Sequence, residues 1–316
     1  MAALFQEEKP LEIRFSIPVE SVKRSRVDSV YFPSILTYKN EAGTWDTIHI
    51  GVRARGKFRR KNCYLPPLRF KISKEDRKDK VFAGVKSLKL VLPCSQSKVG
   101  GDLILKEYIC YQLYEPLTPY TFGTRMVDIT LVDSGNGSRK YHMNGFFIED
   151  DDAVAKRCQA KVVDLENLHP KFMHDTCTLR YDLFQYMIGN TDFSSAFFHN
   201  TKVIKTDAGR YIPIAYDFDM SGFVNAPYAT FDESLNISNV RERIYRGYCR
   251  DDHVAQAVRA QYITLEPQIM AVIDRYQTVL DAREYKYVKY YMSEFFNTVK
   301  NDAIYKKQIT EGCRDR

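Results

Sequence analysis

The N-terminal half of the chain is dominated by short segments in which apolar and polar residues alternate. Alternation with a period of two places every second side chain on the same face of an extended strand, so each segment is expected to bury one face. Pro33 interrupts one of these segments, and because proline cannot donate a hydrogen bond to a neighbouring strand we predict that strand at a sheet edge. The predicted strands cover residues 11–18, 30–38, 45–55, 68–72, 87–92, 126–132 and 141–148.

Apolar residues follow a helical spacing in one early segment and in much of the chain after residue 150. The sequence from Asn239 to Glu242 is typical of a capping box, which begins a helix. The pattern predicts an α+β protein, with an N-terminal antiparallel sheet lobe in residues 1–149 and a mainly helical lobe in residues 150–316. The predicted helices cover residues 102–115, 179–187, 254–262, 269–280 and 287–299.

The most informative stretch is YDLFQYMIGNTDFSSAFFHNTKVIKTDAGRYIPIAYDFDMSG, residues 181–222. A helix ends at its Gly-Asn pair, and two apolar strands joined by a Thr-Asp-Ala-Gly turn form a hairpin. Asp192 and Asn200 precede the hairpin, while Asp217 and Asp219 follow it. Because antiparallel pairing brings the entrance and exit of a hairpin to the same end, we expect these four side chains to converge.

A cluster of this kind suits phosphoryl transfer. One carboxylate orients a hydroxyl nucleophile, and an amide oxygen and a second carboxylate hold Mg²⁺ on the phosphates. An Asp, then an Asn, then a hairpin ending in Asp is the order found in protein-kinase catalytic and metal-binding loops. The alternative is that all four are ordinary turn residues, since Asp and Asn are common where helices and strands end.

The motifs GNTD, HN and YDFDMSG, with the upstream RARG and a strand ending in FFIED, resemble the CotH (spore coat protein H) family of atypical kinases. The resemblance covers about residues 53–247 and implies a two-lobed, protein-kinase-like fold with ATP and a divalent metal bound between the lobes. It makes Asp192 the catalytic aspartate, Asn200 a metal ligand and Asp217 the main metal ligand. Seven residues separate Asp192 from Asn200, against four in the usual kinase loop. In an extended strand Asp219 lies on the same side as Asp217, so we predict a second metal ligand there.

A kinase-like site also needs a cation that projects from a sheet toward the phosphates. Lys89 and Arg69, on the polar faces of two predicted strands, are the candidates. Glu107, on the helix that follows, could pair with that cation, and Glu149 could lie at the hinge near adenine. The basic cluster in residues 53–61 is either a flexible loop over the phosphates or a solvated hairpin tip.

The formal net charge of the 316-residue chain is +7, which is moderately basic. This is not the profile of a dedicated nucleic-acid binder, and it suits anionic partners such as nucleotides or acidic substrates. No apolar run is long enough to span a membrane. The first residues lack the basic and apolar regions of a signal peptide, although a trimmed, secreted or cell-envelope form would look the same.

Seven cysteines are present and none forms a CxxC pair, so a zinc site is not expected. Cys63 and Cys94 lie beside two strands that we expect to be neighbours, and Cys249 and Cys313 are each followed by Arg. Disulfides at these pairs would imply an oxidising compartment, but the odd count argues against a complete disulfide framework. The pattern alone leaves both pairings open.

Motif and resemblance together predict ATP- and Mg²⁺-dependent phosphoryl transfer to the hydroxyl of a protein substrate. A first alternative is a pseudokinase that acts as a nucleotide-binding or scaffold module, which the long spacer before Asn200 favours. A second is a metal-dependent phosphoesterase that uses the same carboxylates, but only His199 falls within the motif.

Overall fold

The structure is a computed structural model that describes residues 1–27, 29–56, 58–78, 81–95 and 97–315. It contains two compact units. The first comprises Met1–Tyr108 and Phe122–Val154, and the second comprises Ile109–Thr121 and Ala155–Arg316.

The first unit is built around a closed barrel of seven strands in the order β1-β2-β3-β4-β5-β7-β6. All neighbouring pairs are antiparallel except β1 and β6, which run parallel from Leu11 beside Val127 to Ile17 beside Asp133. The strands are β1 Leu11–Ile17, β2 Phe32–Lys39, β3 Trp45–Ala54, β4 Leu68–Ile72, β5 Ser87–Val91, β6 Thr124–Asp133 and β7 Arg139–Ile148.

Alternation within the strands fills the barrel with apolar side chains. In β1 every second residue is buried, as the sequence pattern predicts. Phe15 meets Phe70 edge to face with ring centroids 5.2 Å apart, and Phe70 meets Phe147 at 5.9 Å. The barrel is therefore a packed core, as expected for a barrel of this strand number.

The predicted kinase-like two-lobed fold with an open N-terminal sheet is wrong. The seven strands close into a barrel because β1 pairs with both β2 and β6, which leaves no free sheet edge between them. The alternating pattern predicts which face of a strand is buried, but it contains no information about which strands pair at the two ends of a sheet. A closed barrel and an open sheet with one covered face share the same pattern.

The prediction that the strand containing Pro33 lies at a sheet edge is also wrong, since β2 pairs on one side with β1 and on the other with β3. Pro33 is accommodated because its register partner is Gly51 of β3, while β1 pairs only with Leu36, Thr37 and Tyr38. The proline therefore lies beyond the stretch of β2 that bonds to β1.

Helices lie between the strands of the barrel and directly after its last strand, β7. The basic cluster in residues 53–61 includes the end of β3 and most of the helix α2, in the segment that connects the antiparallel strands β3 and β4; Lys57 lies outside the described residues. Of the three boundaries between the units, two fall within α3 and α4, and the third lies between Thr121 and Phe122, just before β6. These helices are α1 Val19–Arg24, α2 Phe58–Asn62, α3 Lys98–Tyr114 and α4 Asp151–Arg157.

The second unit combines a three-stranded antiparallel sheet, in the order β10-β9-β8, with several helices. Its strands are β8 Ala160–Val162, β9 Thr201–Thr206 and β10 Tyr211–Ala215. Its helices are α5 Asp175–Met187, α6 Asp252–Asp274, α7 Ala282–Lys300 and α8 Asp302–Tyr305, and a π-helical turn, Lys306–Thr310, follows α8. Single 3₁₀ turns elsewhere in the chain cover Ala3–Phe5, Glu75–Arg77, Glu115–Leu117, Pro170–Phe172 and Glu233–Leu235.

Two helix predictions in this unit are wrong. The segment predicted as a helix in residues 254–262 and the first part of that predicted in residues 269–280 form the single helix α6, which contains Pro267 and ends at Asp274; residues 275–279 form turns. Glu242 accepts hydrogen bonds from the Ser238 amide and the Asn239 side chain, as in a capping box, but no helix follows it. The local hydrogen bonds therefore form without the helix that usually accompanies them.

Two disulfides are present, Cys63–Cys94 in the first unit and Cys249–Cys313 in the second. Cys110, Cys158 and Cys177 take no part in a disulfide among the described residues. Both of the pairings that the sequence left open are formed.

Within the described part of the chain, every helix is too short or too polar to cross a membrane.

Candidate functional site

The β9–β10 hairpin places the backbones of Asn200 and Asp217 at the same end of the sheet. Thr201 at the start of β9 pairs with Ala215 at the end of β10. Asn200 immediately precedes the first of these residues and Asp217 follows the second by two positions. The entrance and exit of the hairpin therefore lie at the same end, as the sequence predicts.

The segment after α5 lies against the segment after β10. The Gly222 amide donates to the Gly189 carbonyl at 2.9 Å, and the Phe223 amide donates to the Ile188 carbonyl at 2.9 Å. These backbone hydrogen bonds join the two loops that contain Asp192 on one side and Asp217 and Asp219 on the other.

A buried aromatic residue fixes the second of these loops. Phe218, between the two aspartates, is fully buried, with its ring 4.6 Å from that of Tyr111 and 5.6 Å from that of Phe184. The Asp217 amide also donates to the Tyr111 hydroxyl at 3.1 Å. Asp217 is half-buried and Asp219 is buried, so packing on Phe218 sets the position of both carboxylates.

Asp192 is bonded directly to Asn200 and His199. The Asn200 amide nitrogen Nδ2 donates to Asp192 Oδ2 and to the Asp192 carbonyl, both at 2.8 Å. The ring nitrogen Nε2 of His199 lies 2.8 Å from Asp192 Oδ1. The long spacer before Asn200 therefore does not separate the two residues, and both oxygens of the carboxylate have a partner.

The spacer folds back on itself to allow this contact. Ser194 and His199 exchange backbone hydrogen bonds of 2.9 and 3.1 Å. Phe193 is buried against Tyr181, with ring centroids 5.6 Å apart, whereas 71% of Phe197 is exposed. The spacer is thus a compact turn with an exposed aromatic tip.

Asn200 and Asp217 both have left-handed backbone conformations, with φ of 45° and 64°. Such a conformation costs a non-glycine residue about 1–2 kcal/mol, although Asn and Asp tolerate it better than most. Strained positions of this kind concentrate at functional sites. Two of the three predicted metal ligands share this feature at one end of the hairpin.

Several residues that the sequence analysis did not identify position Asp192. Its amide donates to Asn190 Oδ1 at 3.0 Å, and Asn190 Nδ2 donates to Gln185 Oε1 at 2.9 Å. Arg246 Nη1 donates to the carbonyls of Thr191 and Phe193, the residues on either side of Asp192. Asn190 and Gln185 lie at the end of α5, next to Asp192 in the sequence, so local pattern could have pointed to them. Arg246 could not be found in this way, because it lies more than fifty positions away in a segment without a periodic pattern.

The two predicted phosphate-binding cations lie in the first unit, where they face each other across β4 and β5. Arg69 is the register partner of Lys89. Arg69 forms an ion pair with Asp150 and Lys89 forms one with Asp151. Lys89 is also buried, with its Nζ 4.7 Å from the centre of the Phe122 ring. The predicted cations therefore adjoin acidic residues that the sequence analysis did not assign.

Glu107 and Glu149 are both buried in the first unit. Glu107 forms an ion pair with Arg59, a member of the basic cluster in residues 53–61. Glu149 Oε2 accepts a hydrogen bond of 3.0 Å from the Gly123 amide. Arg59, which the sequence did not single out, is therefore a cation that pairs with Glu107.

The donor set at the end of the hairpin fits a hard divalent cation. Asn200, Asp217 and Asp219 offer only oxygen ligands, which is the chemistry that Mg²⁺ prefers. Among the described residues, no group of three or more His, Cys, Asp and Glu side chains is placed to hold a metal ion. A metal bound here would therefore depend on the amide of Asn200 as well as on the two carboxylates.

Asp182 is an unusual group on α5, one turn before Gln185. It is 1% exposed, and the Tyr248 backbone amide approaches its carboxylate without reaching ordinary hydrogen-bond geometry. Burial raises its pKa to about 7, against the opposing effect of the Arg250 and Arg314 guanidinium groups. Both arginines directly follow the cysteines of the Cys249–Cys313 disulfide. Asp182 is therefore a largely desolvated acid beside the crosslinked C-terminal segment.

Comparison with known proteins identifies no matching family model and no matching curated protein. The resemblance to the CotH family remains a prediction.

Proposed function

We propose that the protein transfers the terminal phosphoryl group of Mg²⁺-bound ATP to a hydroxyl group of a protein substrate. The observation that carries this proposal is the convergence at one end of the β9–β10 hairpin. Asp192 is hydrogen-bonded to Asn200, and both Asn200 and Asp217 have left-handed backbones at that end.

Asp192 is assigned the role of orienting the acceptor hydroxyl and receiving its proton. Its side chain is 37% exposed, which leaves it open to a substrate, and Arg246 bonds the backbone on both sides of it. A hydroxyl-orienting carboxylate needs this fixed position because its contribution depends on geometry in the transition state.

Asn200, Asp217 and Asp219 are assigned as the metal ligands. Asn200 donates its Nδ2 to Asp192, so its Oδ1 is the atom that would bind the metal. Bound Mg²⁺ would neutralise charge on the phosphates of the nucleotide. Arg69, Lys89, Glu107 and Glu149 of the first unit remain the predicted nucleotide-binding residues.

Two substitutions test the proposal. Asp217→Asn should abolish the Mg²⁺-dependent part of ATP binding, because it removes a charged metal ligand. Asp192→Asn should bind Mg-ATP like the parent but lose phosphoryl transfer by a factor of roughly 100 to 10,000, the range expected when a general base is removed. The measurements are ATP titrations in Mg²⁺ and in EDTA, and transfer of labelled γ-phosphate to the protein or a generic acceptor.

Asp207→Asn is the matched control, since Asp207 is an exposed aspartate in the turn at the other end of the same hairpin. It should leave both binding and transfer unchanged. ATP affinity in Mg²⁺ that does not respond to Asp217→Asn would remove the metal assignment. Full transfer by Asp192→Asn would remove Asp192 from the site.

The alternative is a module that binds nucleotide or serves as a scaffold without transferring phosphate. The occupation of both Asp192 oxygens by His199 and Asn200 favours it, because an incoming hydroxyl would have to share or displace one of these partners. Mg²⁺-dependent ATP binding with no transfer, whether Asp192 is intact or changed to Asn, would select this alternative.

A further inference from the structure

A basic groove lies between α1 and α2 of the first unit, and Arg60 and Lys61 of the basic cluster in residues 53–61 line one side of it. It encloses about 700 Å³ of open space. Of the described residues that line it, five are cationic and one is a carboxylate. The lining residues are Glu20, Lys23, Arg24, Arg26, Arg60 and Lys61.

Specific hydrogen bonds hold the walls of this basic groove together. Arg60 Nη1 donates to the Ser25 carbonyl at 3.2 Å, which ties α2 to the end of α1. Lys23 Nζ donates to the Cys63 carbonyl at 2.8 Å, and the disulfide to Cys94 fixes Cys63 in turn. Like charges are therefore concentrated by the fold itself, which is unfavourable unless an anion neutralises them.

Arg26 and Lys61 are the cations of the groove that remain available to a partner. Both are exposed, and neither has a hydrogen-bond or ion-pair partner among the described residues. Arg24 is already paired within α1, since its Nε lies 2.6 Å from Oε1 of Glu20, four residues earlier in the same helix. A carboxylate thus already binds one of the groove arginines.

We infer that this groove binds an acidic polypeptide segment, a run of Asp and Glu side chains. Arginine is the side chain best suited to planar carboxylates because its guanidinium group presents parallel N–H donors. No aromatic side chain is among the described residues that line the groove, so they offer no surface on which nucleic-acid bases could stack. That the acidic segment belongs to the phosphoryl acceptor is a further step, which rests on the proposed function.

The test is fluorescence anisotropy of a labelled ten-residue peptide of Asp and Glu with one central Ser, titrated with the full chain in EDTA without nucleotide. The parent should bind, and more weakly as salt is raised, because the attraction is electrostatic. The double change Arg26→Glu and Lys61→Glu should weaken binding at least tenfold, and Arg26→Gln with Lys61→Gln should weaken it less.

The matched control is Arg283→Glu with Lys286→Glu, which makes the same change in net charge on exposed residues of α7. This control should bind the peptide within twofold of the parent. Equal losses in the groove variant and the control would overturn the inference, because binding would then follow net charge alone. Binding by the parent that is insensitive to the groove changes would also overturn it.

Two further probes, a single-stranded oligonucleotide and a sulfated polysaccharide, decide the class of partner. Groove-dependent binding of either probe, with no binding of the acidic peptide, would overturn the assignment to a polypeptide. Phosphoryl transfer to the serine of the peptide should show a raised KM and an unchanged kcat in the groove variant. Peptide binding without any transfer would leave the groove inference in place while contradicting the proposed function.

Discussion

At the scale of single residues, Gly189 is the point where the helix α5 gives way to the loop that contains Asp192. Its φ is 62°, in the left-handed region, and a Cβ built on it would lie 1.9 Å from the Tyr291 hydroxyl oxygen. The Tyr291 hydroxyl is buried and has no hydrogen-bond partner in the described part of the chain. Both the backbone conformation and the neighbouring side chain therefore require glycine here.

We predict that Gly189→Ala lowers the free energy of unfolding by about 3 kcal/mol, the sum of left-handed strain of about 1–2 kcal/mol and overpacking of a similar size. Gly209→Ala is the control for strain alone, because Gly209 has a φ of 77° and nothing within 4 Å of a built Cβ. Urea unfolding of the two variants measures the difference. In a Tyr291→Phe background the loss at Gly189 should shrink by about 1 kcal/mol; an unchanged loss would show that the hydroxyl is not the obstacle.

Residue-scale chemistry was predictable where it depends on local sequence. The Gly-Asn helix end, the hairpin and the proximity of Asn200 to Asp217 follow from turn chemistry and from antiparallel pairing. The contacts of His199 with Asp192 and of Arg246 with the neighbouring carbonyls were not predictable. The first depends on how a spacer folds, and the second joins residues that are distant in the sequence.

At the scale of elements, Arg246 couples an irregular segment to the loop after α5. Its guanidinium group lies 5.5 Å from the centre of the Phe193 ring and donates to the carbonyls of Thr191 and Phe193. It touches neither Asp217 nor Asp219 through any described hydrogen bond, so we regard it as a positioning residue for Asp192.

The substitution Arg246→Met keeps the aliphatic stem and removes the hydrogen-bond donors. We predict that it lowers kcat for phosphoryl transfer roughly tenfold or more and leaves the KM for ATP within about threefold of the parent. The reason is that misplacing a reacting group mainly weakens stabilisation of the transition state. Hydrogen exchange should become faster in residues 191–200 and stay unchanged in the barrel. Arg210→Met, at the exposed turn of the hairpin, is the control. Equal effects on kcat and on exchange throughout the chain would mean that Arg246 acts through global stability.

Strands and helices with a strong local pattern were predictable, but the residues at which a helix ends were not. The strands of the barrel and the helices α5 and α7 match the sequence pattern closely. The helix α6 continues through Pro267, where sequence alone predicts an end, because packing along a 23-residue helix outweighs the loss of one hydrogen bond. Tertiary contacts therefore determine where α6 ends, and the local sequence contains no information about those contacts.

At the scale of the whole molecule, closure of the barrel depends on one parallel pairing between β1 and β6, strands more than a hundred residues apart. Neither hydrophobic period nor turn chemistry specifies a pairing at that separation. The two disulfides also join residues that are distant in the sequence: Cys63 and Cys94 are 31 positions apart, and Cys249 and Cys313 are 64 apart. The first disulfide lies in the first unit and the second in the second unit.

We predict that each disulfide stabilises its own unit by about 4 kcal/mol, the value expected from loop closure over these separations. Changing Cys249 and Cys313 to Ser should speed hydrogen exchange in α6 and α7 and leave the barrel strands protected. Changing Cys63 and Cys94 to Ser should have the opposite pattern. Equal loss of protection throughout the chain in either variant would contradict this assignment to separate units.

The last prediction concerns the stability of the whole molecule as a function of pH. Asp182 has a pKa of about 7 in the folded chain, against an ordinary value near 4 for an exposed carboxyl, because burial outweighs the attraction of Arg250 and Arg314. Between about pH 4 and pH 7 the folded state therefore keeps a proton that the unfolded state releases. Its contribution is present at low pH and is lost as the pH rises through this window, by up to about 1.4 kcal/mol per pH unit.

Asp182→Asn removes this titration and keeps the shape of the side chain. The free energy of unfolding of the parent minus that of the variant should fall steadily from about pH 4 to pH 7 and level off above, as measured by urea unfolding at each pH. Asp207→Asn, which changes an exposed aspartate, is the control and should give a flat difference over the same range. A flat difference for Asp182→Asn would contradict this prediction. It would mean that the two arginines keep the Asp182 carboxylate ionised in the folded state, so that the group beside the Cys249–Cys313 disulfide is an ion pair and not a protonated acid.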